Sequence, residues 1–238
     1  MSDIPAIVHR LSIDAIPLLL AITFHEAAHG YVAFRRGDPT AMMLGRVTLN
    51  PLAHIDPFGT ILLPAILIFT GSPILFGWAK PVPVNFRLLQ DQKRDPVLVA
   101  SAGVLTNLIL AMVSGILFRA IGFLDPEVAR KALFQGLAAT SAGGSEAVTL
   151  PVALMCIESI KWNVILAIFN LIPIPPLDGG RIAVGVLPFK ASQALASVER
   201  YGMLLLILLL MFDPFGIIRG IVRPLMALLI TVFLGGSP

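Results

Sequence analysis

Apolar residues fall along this chain in long blocks separated by short polar stretches. Blocks at about 13–34, 97–122, 147–172 and 215–235 each approach the roughly 20 residues a helix needs to cross a hydrocarbon layer. A fifth block has a short core at 201–212 and extends into its flanks, and a sixth, 58–77, is interrupted by Gly71-Ser72-Pro73. Between blocks, 36–56 has the Gly, Pro and Asn punctuation of turns and short strands. Segment 123–146 is polar and rich in Gly and Ser, a surface loop or an interfacial helix. No internal repeat or low-complexity tract is visible. The pattern predicts an all-α polytopic membrane protein, a bundle of about five to six transmembrane helices with a re-entrant or short β loop region. One domain is expected over 1–238, with its core at about 13–185 and C-terminal helices at about 195–235.

Composition agrees. The 238 residues are 57% hydrophobic and 13% charged, with a mean hydropathy of +0.90, whereas a soluble domain carries about a quarter charged residues. The net charge of +3 is small and its basic residues sit in short loops, which fits a phospholipid surface rather than nucleic acid. Cys156 is the only cysteine, so neither an intrachain disulfide nor a cysteine-based zinc site is available. The first apolar run has no A-x-A-like cleavage site and reads as a retained span.

Inside that run stands His25-Glu26-Ala27-Ala28-His29. On a helix, this spacing puts two imidazoles one turn apart on one face with a carboxylate beside them, the arrangement for a zinc ion and a general base. Ionisable groups at membrane depth are costly, so three in one turn require a reason. A polar interhelical network without metal is the bland alternative. Two histidines leave zinc short of a third protein ligand, and His9 and His54 are the only others. Asp178 is the candidate in Phe169-Asn170-Leu171-Ile172-Pro173-Ile174-Pro175-Pro176-Leu177-Asp178-Gly179-Gly180-Arg181. Its prolines cannot continue a helix, and irregular backbone at depth is tolerated only beside protein or a water-filled cavity. An acid there suits an anionic third ligand; capping the next helix or pairing with Arg181 is the alternative reading.

The two motifs together resemble the site-2 protease family of intramembrane zinc metalloproteases, of M50 type. Ser101-Ala102-Gly103-Val104-Leu105-Thr106-Asn107 resembles the family's small-residue helix motif. Gly77-Trp78-Ala79-Lys80-Pro81-Val82-Pro83-Val84-Asn85 resembles a signature of compact prokaryotic members, which lack a PDZ or CBS domain. The likeness covers about 13–185 and departs at Val104, where the family usually has proline. It implies one zinc ion held by His25, His29 and Asp178, Glu26 as general base and acid, and Asn170 contacting substrate or the oxyanion. Asn170 as a helix-end cap stays open. His54 is a turn histidine or a lining residue of the cleft. Gly103 and Asn107 are read as helix-packing residues, Glu158 and Lys161 as a mutually neutralising pair, and Cys156 as a small core residue.

Family members run the two metal-bearing helices parallel, which needs an odd number of crossings between them. Segment 58–94 must then enter and return on one side. Strict alternation of spans leaves Lys and Arg balanced at 8 on each face. A re-entrant 58–94 gives 10 on the face holding Arg35, Arg46, Lys80 and Arg94, against 6 on the other. The positive-inside rule places the larger count in the cytoplasm. The expectation is a multi-pass plasma-membrane protein with a cytoplasmic active-site side and an extracytoplasmic N-terminus. Within 80–85, Pro81 and Pro83 lack donors, so the N–H groups of Val82 and Val84 are candidates to pair with a substrate strand in the cleft; a rigid plug is the other reading. The substrate expected is a transmembrane segment of another protein in the lipid bilayer. A regulatory membrane partner or a homo-oligomer stays open. The rival functions are a membrane metal transporter, disfavoured by the few other intramembrane ligands, and a non-proteolytic scaffold, disfavoured by Glu26.

Overall fold

A computed structural model of the chain describes residues 4–71, 77–138, 143–213 and 216–236. Ten α-helices run in the order α1 (Ile4–Arg35), α2 (Thr40–Met43), α3 (Leu63–Phe69), α4 (Arg94–Leu124), α5 (Pro126–Gln135), α6 (Glu146–Asn170), α7 (Asp178–Val186), α8 (Phe189–Val198), α9 (Gly202–Phe212) and α10 (Arg223–Leu234), counting the described residues. Their ends follow local chemistry. α1 stops where Gly37 takes φ +103 and Asp38 N–H returns to Ala33 O at 2.9 Å, a turn that favours glycine at this place. α4 opens on a reciprocal cap: Asp91 accepts from the N–H groups of Arg94 and Lys93, both at 2.9 Å, while Asp91 N–H donates to Asp95. Those donors hold the Asp91 carboxyl below the usual carboxylate range. α5 starts at Pro126, behind Asp125, which accepts from Val128 N–H at 3.1 Å.

Among the described residues, three helical runs are long and apolar enough to cross a membrane: Arg94–Leu124, Glu146–Asn170 and Phe189–Phe212. The last joins α8 and α9 through a short 3-10 turn, so the apolar 201–212 core is only the end of a longer rod.

One expectation is corrected. No strand forms among the described residues. Segment 36–56 holds α2 and a 3-10 turn, Pro51–His54, and 77–85 has neither helix nor ladder. The cause is that backbone donors there go to single carbonyls and side chains rather than to a neighbouring strand. The described part of segment 58–77 is a short helical run. A π-helical turn, Pro57–Leu62, leads into α3, and together these 13 residues span about 20 Å, short of the roughly 30 Å of a hydrocarbon core. The chain then returns to its start: Trp78 N–H donates to Gly59 O at 3.1 Å and Thr60 Oγ1 to Trp78 O at 2.8 Å. Of the Gly71-Ser72-Pro73 break, Gly71 has φ +66, while Ser72 and Pro73 lie outside the described residues.

The chain forms two compact units. The first comprises residues 1–21, 107–168 and 223–238. Ile13, Phe118, Val128, Leu150, Leu154, Cys156 and Ile157 belong to its apolar core. Polar side chains are paired within it. Asn107, fully buried, donates to Asn163 Oδ1 at 2.8 Å and to Ala21 O at 3.2 Å. Ser114 donates to Ser159 at 2.8 Å, Trp162 to Asp14 at 2.8 Å, and Lys161 pairs with Glu158 at 2.7 Å as expected. The second unit, 22–106 and 169–222, contains the chemical motifs. Backbones come close there where glycine permits: Gly185 lies against Val97 and Lys93 O, and Gly202 against Pro175 O.

The asparagine pair yields a test. Replacing Asn107 by Ala removes the donor to the buried Asn163 Oδ1 and is expected to lower stability by roughly 1 kcal/mol. Adding Asn163→Ala should cost less than the sum of the single changes, as read by thermal unfolding of the detergent-solubilised protein.

Candidate metal centre

The centre is assembled from α1, α4 and the start of α7. On α1 the four-residue spacing brings His25 Nε2 and His29 Nε2 to 3.0 Å, their rings edge to face. Asp178 Oδ2 lies 3.2 Å from the first and 3.3 Å from the second. His29 Nδ1 is 2.7 Å from Val99 O. A carbonyl only accepts, so Nδ1 carries a proton, and in the neutral tautomer this leaves the Nε2 lone pair facing Asp178. Asp178 Oδ2 is buried and no hydrogen bond reaches it. Electron-rich atoms thus converge on one point at separations of 3.0–3.3 Å. A tetrahedral ion with bonds of about 2.0–2.1 Å spaces its ligands about 3.3 Å apart. His25, His29 and Asp178 are the group able to hold a metal among the described residues, and their donor set of two imidazoles and a carboxylate fits zinc.

The neighbouring backbone leaves room for this convergence. A Cβ on Gly103 would stand 2.5 Å from His29 Nε2 and 2.7 Å from His25 Nε2. Gly103 therefore clears space for the imidazoles, a role beyond the helix packing expected of it. After α6 the chain turns tightly: Ile174 N–H donates to Ile172 O at 2.8 Å and Leu177 N–H to Ile174 O at 3.0 Å. Gly179 sits against Leu171 O and Gly180 against the Ile174–Pro175 backbone, so a side chain at either would push α7 and Asp178 away.

Glu26 faces a different group. Its Oε2 accepts from Val82 N–H at 2.7 Å, so one of the two donors proposed for substrate pairing is engaged. The 80–85 segment is held on both sides of this bond. Lys80 N–H donates to His54 O at 2.9 Å, Arg46 Nη2 donates to Lys80 O at 2.8 Å, and Asn85 N–H donates to Asp38 Oδ2 at 2.7 Å. His54 is buried, its Nε2 3.0 Å from Thr48 O. Its place is thus in the turn supporting this segment, apart from the metal-binding group. Asn170 is the last residue of α6, at the entrance to the proline turn. Asp38 was not among the expected site residues, and Arg46 entered only as a loop charge. Asp38, fully buried, also accepts from Thr40 N–H at 3.0 Å; an Asp beside a Gly-x-Pro turn was its only signal.

Residues 14–212 match peptidase family M50. The chain belongs to that family, the site-2 proteases. It is 39% identical over 201 residues to "Putative zinc metalloprotease YwhC" of Bacillus subtilis, covering 84% of this chain and 80% of that one. It is 28% identical over 192 residues to "Putative zinc metalloprotease Rip2" of Mycolicibacterium smegmatis, covering 81% of this chain and 64% of the relative. The Rip2 protein of Mycobacterium tuberculosis H37Rv is also 28% identical, over 80% of this chain and 63% of its own length. No solved structure gives a significant match. The M50 membership agrees with the metal-binding group, and neither the transporter nor the scaffold reading gains support.

The steric role of Gly103 predicts that Gly103→Ala lowers bound zinc, measured by plasma mass spectrometry, to well under half an ion per chain. Helicity by circular dichroism should stay unchanged, and Ala102→Gly on the same helix should retain the metal.

Proposed function

We propose that this M50 membrane protein hydrolyses peptide bonds within or near transmembrane segments of other membrane proteins. The observation that carries the reading is the convergence of His25, His29 and Asp178 with Glu26 on the same helix turn. In this proposal those three residues hold the zinc. Zinc, when bound, supplies a Lewis acid for water and for the scissile carbonyl. Glu26 takes the proton of the attacking water and returns it to the leaving amine. Asn170 donates to the developing oxyanion, an interaction whose loss costs roughly a hundredfold or more in rate. A helical peptide bond is masked by its own hydrogen bonds, so the substrate unwinds before cleavage. The 80–85 segment, with prolines removing donors along one edge, is the surface on which an extended stretch pairs through Val82 and Val84.

The finer topology belongs to the same proposal: five to six crossings, a re-entrant 58–94, a cytoplasmic active-site side and an extracytoplasmic N-terminus. Two contacts support re-entry. Trp78 bonds back to Gly59, and Asp38 binds the N–H groups of both Thr40 and Asn85, so chain on either side of the excursion meets at one carboxylate. The charge excess on that face agrees with the positive-inside rule.

Two experiments test the reading. Glu26→Ala should retain zinc yet leave transmembrane stubs uncleaved in a proteomic comparison with wild-type membranes, whereas Asp178→Ala should lose both metal and cleavage. Zinc flux surviving in Glu26→Ala would favour transport instead. For topology, cysteines placed at Thr40 and Asn85 should label from the same side of sealed vesicles; labelling from opposite sides would sink the re-entrant arrangement.

A further inference from the structure

The bond between Glu26 and Val82 joins two elements assigned separate tasks above. Val82 N–H lies 2.7 Å from Glu26 Oε2, the length of a charge-assisted bond. Pro81 and Pro83 on either side have no N–H. Lys80 N–H is committed to His54 O and Asn85 N–H to Asp38. The carbonyls of Lys80 and Pro81 are held by Arg46 Nη2 at 2.8 and 3.4 Å. The Val82 side chain is buried against α1, where a Cβ on Gly30 would come within 3.0 Å of it. The segment is thus clamped on both sides of one donor, and that donor is aimed at the base.

One N–H makes one strong hydrogen bond at a time. A substrate strand that pairs at Val82 must take this donor from Glu26. We infer that the Val82 N–H is an exchangeable positioning group, holding the Glu26 carboxylate while substrate is absent and passing to a substrate carbonyl when an extended segment pairs. Pairing then frees a carboxylate oxygen for the proton of the attacking water. The base becomes available in the same event that presents the peptide bond, and Arg46 and Asp38 keep the donor in reach of both acceptors. The inference rests on the strand-pairing reading proposed above.

The exchange makes an unusual demand on affinity: removing the base should improve binding. The probe is a dansylated, leucine-rich transmembrane peptide with a central Asn-Gly break, made uncleavable there by a reduced methylene-amine bond. Glu26→Ala should bind it about tenfold more tightly than wild type, because the competing acceptor is gone. The gain should vanish when both proteins also carry Val82→Pro. In 15N-valine-labelled protein without peptide, Glu26→Ala should move the Val82 amide signal. Peptide added to wild type should move the same signal. Equal affinity of wild type and Glu26→Ala, or an unmoved amide signal, overturns the exchange. If Val82→Pro alone leaves binding unchanged, the pairing reading fails and the exchange fails with it. If Val82→Pro weakens binding while Glu26→Ala does not tighten it, pairing stands and only the exchange is lost.

Discussion

Lone-pair atoms do not settle 3.0–3.3 Å apart without a cation or a proton between them, and the second unit is arranged around three such atoms. His25 and His29 supply two by helical spacing alone. The third is not local: Asp178 reaches them only because α6 ends and the chain turns back through prolines into α7. Each glycine near the site has a steric reason in the same terms. Gly103 leaves space for the rings, while Gly179 and Gly180 let α7 start against the turn that precedes it. The Val99 carbonyl completes the arrangement, since by accepting from Nδ1 it turns the Nε2 lone pair of His29 inward.

Irregular backbone in an apolar surrounding has to bond to something, and in 77–85 the partners are scattered. Trp78, Lys80, Val82 and Asn85 donate to Gly59 O, His54 O, Glu26 and Asp38 in turn. This pattern explains why proline is tolerated at 81 and 83: residues between the clamps that lack a donor leave nothing to satisfy. It also explains why no ladder forms although the segment lies along α1. Acceptors drawn one at a time from a turn, a helix side chain and a buried carboxylate cannot have the spacing of a strand.

Much of this was legible beforehand, for reasons that differ by residue. The metal-binding group could be read because its types and spacings follow from ligand chemistry, and because an HExxH within an apolar run is costly to leave idle. The Glu158–Lys161 pair was readable as neighbours on one helix face. Asp38, Arg46 and the Val82–Glu26 bond were not, since they join residues 34 to 56 apart whose local sequence carries no period. The strands expected in 36–56 failed for a related reason. Turn residues mark where regular structure ends, but whether a strand lies between two turns depends on a partner that local composition does not name.

The polar groups of the two units are neutralised differently. In the first unit, Glu158 has Lys161 and Glu146 has Lys131 at 2.7 Å, while Asn107, Asn163, Ser114 and Ser159 bond among themselves. Such pairs neutralise one another within the apolar interior, and no group of three metal ligands occurs there among the described residues. In the second unit, Arg36 is directed to Asp95 and Arg181 to Glu199 and the Phe86 ring. Among the ion pairs of the described residues, no Lys or Arg faces Asp178 or Glu26, and the partners of Asp178 are His25 and His29. Two carboxylates beside neutral imidazoles would carry two negative charges into a medium of low dielectric, a costly arrangement unless a cation or a proton joins them. A divalent cation held by His25, His29 and Asp178, the group able to bind one, would balance that charge, while Val82 N–H donates to Glu26.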